Sequence, residues 1–260
     1  MKKTALVTGA CINTGVAIVE KFAMEGYNVV FTGRNLEKVQ QQEKEYKRKF
    51  PDVQITGYQI DSLIDEKTID EESIKEMFCF LDSMGIFVET LVLNAADQGL
   101  GIKVLENPIT DFMKVLNTNV VWNYCLCEYA AKRMIDNGGG NIVFVNSNTA
   151  YRAIPDRIAY SASKGGQLGM MRAMALDLGK YNIRVNAVLP GMIKTDRWEK
   201  NPDFYQNVPS RFTPLGDVAV GSDVADAVWY FAVGARNTTG AELVVDGGNT
   251  IQLYPIIPKE

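Results

Sequence analysis

The sequence predicts an α/β fold, a doubly wound parallel sheet of about seven strands with helices on both faces. Three observations predict it. Short aliphatic runs alternate with longer helical patterns along the whole 260 residues, the order expected of strands joined by crossover helices. The strand runs are apolar almost throughout rather than at every second position, as strands buried on both faces must be. A glycine-bearing turn joins the first strand to the first helix, where a parallel sheet of this kind opens toward a ligand.

Taken in order, strands are expected at residues 4–7, 28–32, 53–58, 90–93, 141–145, 184–188 and 242–245. Helices are expected at 16–25, 36–50, 71–84, 111–137, 159–180 and 222–233. Three stretches break the rhythm. Residues 61–72 form an acidic polar loop. Residues 192–217 form a long connection carrying Trp198, Phe204, Tyr205 and Phe212, read here as a substrate lid. The tail, 252–260, is apolar (Leu253, Tyr254, Ile256, Ile257) and is expected to pack on its own subunit or a neighbour. No repeat or linker divides the chain, so 1–260 reads as one domain.

Composition narrows the function classes. A 47% hydrophobic fraction supplies a full core, and a net charge of −4 with no basic run argues against nucleic acid or an anionic membrane as partner. The apolar run Ala5-Leu6-Val7 is too short for a secretory signal, and no stretch is long enough to span a bilayer. A cytoplasmic location is expected. The four cysteines, Cys11, Cys79, Cys125 and Cys127, read as buried free thiols. Histidine is absent, which excludes histidine triads and histidine metal sites; no metal is expected. Acid-base chemistry near neutral pH must come from another group with a shifted pKa.

The turn Thr8-Gly9-Ala10-Cys11-Ile12-Asn13-Thr14-Gly15 follows the first strand and opens a helix. Such a turn lets backbone N–H groups and a helix N-terminus approach a pyrophosphate. The second strand ends at Gly33-Arg34, where NAD-binding folds often place an acid to hold ribose hydroxyls. A guanidinium there can clamp a 2′-phosphate, so NADP(H) is favoured, with NAD(H) possible. Asp61 can accept from an adenine amino group, or be a solvated loop acid. Asn94-Ala95-Ala96 offers small residues beside a ribose, or for helix packing.

Tyr160 and Lys164 sit four residues apart, on one helix face. A free tyrosine titrates near about 10, and bringing it to neutrality takes about 4 kcal/mol. A close ammonium and a positively charged nicotinamide both favour the phenolate, so Tyr160 is expected to titrate low.

The ordered set of motifs resembles the single-domain short-chain dehydrogenases/reductases over essentially residues 1–250: the glycine turn, Asn94-Ala95-Ala96, Asn119, Ser147, Tyr160-x-x-x-Lys164, Pro190-Gly191 and Asp246-Gly247-Gly248. The resemblance implies a Rossmann-type sheet and interconversion of a secondary alcohol and a ketone. It implies Tyr160 as acid-base, Lys164 as the group that lowers its pKa and holds the nicotinamide ribose, and Ser147 as donor to the substrate oxygen. Asn119 would hold a water joining Lys164 to solvent, and Pro190, Gly191, Ile193 and Thr195 would line the nicotinamide. The chain departs from the pattern where Asn13 replaces a glycine, where Leu93 and Ala96 flank Asn94-Ala95, and where Asn146 precedes Ser147. Asparagine tolerates left-handed backbone, so the turn is expected to survive.

Asp97, Gln98, Asn148, Tyr151, Ile154, Met192 and Trp198 are expected near the substrate. The aromatic lid favours a bulky hydrophobic ketone of hydroxysteroid or bile-acid type. A 3-oxoacyl thioester reductase or a sugar or polyol dehydrogenase shares the same motifs, and a non-catalytic dinucleotide-sensing module is the alternative of another class. The resemblance also implies a homodimer or homotetramer through the helices at 111–137 and 159–180.

Overall fold

The computed structural model describes residues 2–202 and 208–255. Seven strands form one sheet: β1 (Thr4–Val7), β2 (Asn28–Gly33), β3 (Ile55–Gln59), β4 (Val88–Leu93), β5 (Gly140–Val145), β6 (Ile183–Pro190) and β7 (Glu242–Val245). Their order is β3-β2-β1-β4-β5-β6-β7, every pair parallel. This is the Rossmann-type doubly wound sheet. Crossovers leave β1 toward one edge and β4 toward the other, so a crevice opens between the ends of β1 and β4.

Successive strand residues point to opposite faces, and both faces are apolar. On one face Leu91, Ile142, Phe144 and Val185 meet α3 (Glu71–Ser83), α5 (Trp122–Asp136) and α6 (Ile158–Leu178) through Phe78, Leu126, Met134 and Met171. On the other, Val7, Val92, Val143 and Val188 meet α1 (Asn13–Met24) and the helix Gly221–Trp229 through Ile18, Phe22, Val224 and Val228. On that same face α2 (Leu36–Lys49) covers β2 and β3 with Val39 and Tyr46.

The expected strands and helices are present, with ends moved by a few residues and two interruptions that hydrophobic periodicity does not reveal. The helix expected at 111–137 is α4 (Ile109–Leu116), a π-helical turn at Asn117–Val121, then α5. Within the π turn the Asn119 carbonyl accepts from the Asn123 side chain (2.9 Å) and the Gln167 side chain (2.6 Å). Likewise the helix Gly221–Trp229 runs into a π turn, Tyr230–Gly234. The Arg184 guanidinium caps its end through Phe231 O, Ala232 O and Ala235 O.

The connection at 192–217 contains short helices at Asp196–Lys200 and Val208–Phe212; Phe204 and Tyr205 lie outside the described residues. Leu253 and Tyr254 of the tail remain exposed rather than packed on their own chain; Ile256 and Ile257 lie outside the described residues. The thiols differ from expectation: Cys125 and Cys127 are buried, Cys11 is half-buried and Cys79 is exposed. No helix among the described residues is long and apolar enough to cross a membrane.

The crevice is pinned by one side chain. Thr8 Oγ1, fully buried, accepts from both Asn94 N and Ala95 N (3.0 Å each). Asn94 Nδ2 reciprocates to Thr8 O (3.0 Å) and Gly9 O (3.1 Å). Thr8→Val keeps the shape but takes the acceptor from two half-buried N–H groups. We expect about 2–4 kcal/mol lost in urea unfolding, with dinucleotide affinity falling in parallel.

Candidate active site

The first βα turn is built to receive an anion. Gly9 has φ +64° and Asn13 φ +48°, so asparagine does adopt the left-handed conformation that the turn demands there. A Cβ on Gly15 would lie 2.6 Å from Ala10 Cα and 2.8 Å from Asn94 Nδ2, which only glycine avoids. Ile12, the residue before α1, supplies no side-chain cap, and the first turn carries no acid. The α1 N–H groups there lack a side-chain acceptor and would suit a pyrophosphate. By contrast, α2 and α3 are capped by Asn35 and Asp70. Thr14 lies half-buried in the same turn.

At the end of β2, Gly33 leaves room that Cys11 Sγ fills: a Cβ there would lie 2.5 Å from the sulfur. Burial pushes the Cys11 thiol up, and the Lys38 ammonium opposes this, so Lys38 stands at the same corner. Arg34 is exposed, and none of the described residues engages its guanidinium. Arg34 precedes Asn35, the cap of α2, and Lys38 lies in the first turn of that helix. Lys38 was not singled out from the sequence, because Arg34 lies outside the helix and helical spacing does not relate the two. Asp61 is exposed and its carboxylate accepts from Ser62 N (2.7 Å). Pro190 ends β6, Gly191 N donates to Val245 O (3.0 Å), Ile193 pairs with Ala219, and Thr195 O accepts from Trp198 N (2.8 Å). This side of the crevice is therefore anchored on β7 and on the segment that leads into the helix Gly221–Trp229. These features fit a dinucleotide.

Ser147, Tyr160, Lys164 and Asn119 converge at the ends of β4 and β5. Ser147 follows β5 in extended backbone, its N–H held by Asn146 Oδ1 (2.7 Å), while its hydroxyl accepts from Thr149 N (3.2 Å). That hydroxyl also hydrogen-bonds Tyr160 and favours the phenolate. Lys164 is fully buried; its Nζ donates to Val145 O (2.9 Å) and Gln167 Oε1 (3.2 Å) and lies 5.5 Å from the Tyr160 ring centroid. Asn119 braces the loop after β4: its side chain accepts from Asp97 N (2.8 Å) and donates to Asp97 O (2.8 Å) and Ser163 Oγ (2.9 Å).

The electrostatics differ from the sequence reading. Tyr160 is raised above the ordinary tyrosine value, not lowered: burial outweighs the favourable effects of Ser147 and of Arg157. Burial brings Lys164 down to about 7, and no carboxylate among the described residues pairs with it. The amine is turned to Val145 O and Gln167, so it is no fixed ammonium beside the phenol.

Two further residues complete the cluster. Gln167 joins Lys164 to Asn119, and Asn146 Nδ2 donates to Lys164 O and Gln167 Oε1 (3.0 Å each). Gln167, at i+3 from Lys164, was findable from helical spacing.

Of the residues expected at the substrate, Asp97 is brought to the cluster through Asn119. Asn148 instead donates to Asn249 Oδ1 (3.0 Å) and Thr250 Oγ1 (3.3 Å). Tyr151 donates to Glu242 on β7, which also pairs with Arg172 (2.6 Å). Both tie the segment after β5 to the C-terminal part of the chain. Met192 and Trp198 are half-buried at the start of the long connection.

The fold and this cluster define a dinucleotide-type oxidoreductase acting on an alcohol or ketone. A family model described as enoyl-(acyl carrier protein) reductase matches residues 9–250. An uncharacterized oxidoreductase of Thermotoga maritima is 31% identical over 258 residues, covering 96% of this chain and 97% of that protein. A 3alpha-hydroxysteroid dehydrogenase of Mediterraneibacter gnavus is 32% identical, covering 94% and 96%. Among solved structures, a putative gluconate dehydrogenase from Agrobacterium tumefaciens superposes with TM-score 0.86 at 31% identity, covering 96% and 97%. ElxO with NADP bound gives 0.85 at 29% identity (97% and 100%). NAD+-bound xylitol dehydrogenase gives 0.82 at 27% (95% and 98%). The chain belongs to the short-chain dehydrogenase/reductase family.

A buried amine at about 7 has a stability signature. Between that value and the unfolded lysine value of 10.5 the unfolded state binds the extra proton, so stability rises with pH across that window. The burial penalty is fully present below pH 7 and fades toward 10.5. Lys164→Met should therefore stabilise the fold by on the order of 1 kcal/mol or more at pH 6.5. Thermal unfolding at pH 6.5 and 9.5 should show the gain shrinking at the higher pH.

Proposed function

We propose that the protein interconverts a secondary alcohol and a ketone with NADP(H), on a bulky hydrophobic substrate of hydroxysteroid or bile-acid type. The carrying observation is the Ser147 hydroxyl against the Tyr160 phenol, above the buried Lys164 amine. Thr8, Gly9, Cys11, Asn13, Thr14 and Gly15 would hold the pyrophosphate end, and Asp61, Asn94 and Ala95 the adenosine side. Pro190, Gly191, Ile193 and Thr195 would hold the nicotinamide end. When bound, the dinucleotide supplies or accepts the hydride.

Ser147 orients the carbonyl oxygen, and Tyr160 gives it a proton in reduction. A phenol kept neutral by burial is in the form that reduction needs at neutral pH. Lys164 orients the ribose, and Asn119 holds the Asp97 loop that forms one wall. The exposed guanidinium of Arg34, with Lys38 near Cys11 at the same strand end, supports a 2′-phosphate where no carboxylate stands. Trp198 and Phe212 on the connection at 192–217, with Met192 at its start, support an apolar lid over the chain's single catalytic domain. The 3alpha-hydroxysteroid dehydrogenase among the relatives supports the same substrate class.

NADPH and NADH are titrated separately by nicotinamide fluorescence, beside Arg34→Ala. NADPH should bind more tightly, and the variant should lose about 1.5–3 kcal/mol of that preference, roughly ten- to more than a hundredfold in Kd. NADH binding as tightly as NADPH would reject the phosphate clamp. In a ketone screen led by oxosteroids, Tyr160→Phe should lower kcat by about 10²–10⁴.

A further inference from the structure

We infer that Arg157 is a positioning residue: it straps the loop after β4 onto the first turn of α6 and holds a positive charge on the side of that turn where Tyr160 stands. The inference rests on the reaction proposed above. Arg157 is the N-cap of α6, its carbonyl accepting from Ser161 N (2.9 Å), and Tyr160 is the third residue of that helix. An N-cap side chain and the third helical residue lie on one side of the opening turn, which is why such residues can bond reciprocally in a capping box. Arg157 makes no cap bond of that kind. Its Nη1 donates instead to Gln98 O (3.0 Å), and its backbone forms a parallel bridge with Ile102.

The strapped loop lies against Tyr160. Gly99 has φ +53°, and a Cβ there would stand 3.6 Å from Tyr160 N. Gly99 N donates to Asp97 Oδ1 (2.9 Å), and Asp97 N and O are both held by the Asn119 side chain (2.8 Å each). Gln98, which anchors the guanidinium, is thus flanked by the residue that packs on Tyr160 and by the residue that Asn119 holds. Helix energetics alone do not favour a cation here. The N-terminus is the positive end of the helix dipole, and the first turn of α6 carries no acid to offset it.

The charge bears on the reacting group. The Ser147 hydroxyl and the Arg157 guanidinium favour the Tyr160 phenolate against its burial. The other titratable and charged groups around this turn are turned elsewhere. On the same helix, Lys164 Nζ donates to Val145 O and Gln167; on the loop after β4, Asp97 accepts from Gly99 N. On the segment after β5, Tyr151 is bonded to Glu242 and Arg152 to Thr250 O, and Asp156 is exposed. In ketone reduction the Tyr160 O–H bond breaks and the substrate O–H bond forms as hydride from the dinucleotide reaches carbon, leaving tyrosinate. In alcohol oxidation the tyrosinate takes the hydroxyl proton as hydride leaves carbon for the dinucleotide. In both directions the negative charge on Tyr160 is the one that a nearby guanidinium stabilises. Arg157 therefore sets how alkaline the medium must be for Tyr160 to act as the base.

The test reads the Tyr160 phenol directly, without turnover. Tyrosine is replaced biosynthetically by 3-fluorotyrosine, whose phenol titrates lower, and the intact protein is titrated by 19F NMR. The Tyr160 signal is identified by its loss in Tyr160→Phe. Arg157→Gln keeps a side-chain donor for Gln98 O and removes the charge, so its Tyr160 midpoint should rise by at least about half a pH unit. Arg157→Met, a second neutral variant, should show the same rise, so the result does not hang on one variant folding. Arg157→Lys keeps the charge, and its midpoint should stay at the wild-type value. The acid limb of kcat/KM for alcohol oxidation should move up in the two neutral variants and stay in place in Arg157→Lys. A midpoint that does not rise in the neutral variants overturns the proposal. So does an equal rise in Arg157→Lys, which would mark a change of packing rather than of charge. If Tyr160→Phe oxidises alcohols as fast as wild type, the acid-base reading fails instead, and the 19F titration still decides whether Arg157 acts on the phenol.

Discussion

The arrangement at the heart of this protein depends on one costly burial, a lysine amine placed where β5 ends and α6 begins. Water is excluded from it, and no carboxylate among the described residues compensates. A group in that position persists only when its donors are met, and they are met by the Val145 carbonyl and Gln167. Those partners are in turn held. Asn146 fastens α6 at the Lys164 carbonyl and at Gln167, and the π turn at Asn117–Val121 presents the carbonyl that receives Gln167. The irregular turn and the amide cluster thus belong to the same hydrogen-bonded network as that amine.

A second constraint sits across the crevice. The ends of β1 and β4 must stay apart enough to admit a ligand and close enough to position it. Thr8 and Asn94 set that spacing with four hydrogen bonds between the two strand ends. Glycine at positions 9 and 15 then lets backbone approach backbone, and Asn13 takes left-handed φ at the turn. The C-terminal segment closes the far side: Asn148 is bonded to Asn249 and Thr250, and Asn249 reaches Phe212 O (2.8 Å) at the base of the long connection. The foot of the long connection and the segment carrying Ser147 are thus parts of one polar network.

Much of this was legible in advance, for physical reasons that can be named. Strands buried on two faces must be apolar runs, and helices between them must show one apolar stripe, so element types were readable to within a few residues at each end. Motif order singled out Ser147, Tyr160 and Lys164, and the structure brings the three together. The direction of the Tyr160 shift was not legible. Helical spacing puts Lys164 on the same face as Tyr160, but it does not say where a flexible four-carbon stem points. The Tyr151 hydrogen bond to Glu242 was likewise not legible, since nothing near Tyr151 in sequence announces that partner.

The sequence by itself determined the doubly wound sheet, the crevice at the end of β1 and the set of side chains that meets where β5 ends. Each follows from local periodicity or from residues a few positions apart. Only the tertiary structure decided what surrounds those side chains: the burial that raises Tyr160 and lowers Lys164, the placing of Lys38 near Cys11, and the carboxamide of Gln167 between Lys164 and Asn119. Desolvation and hydrogen-bond satisfaction are properties of assembled surfaces, made by residues far apart in the chain, and no window of sequence contains them.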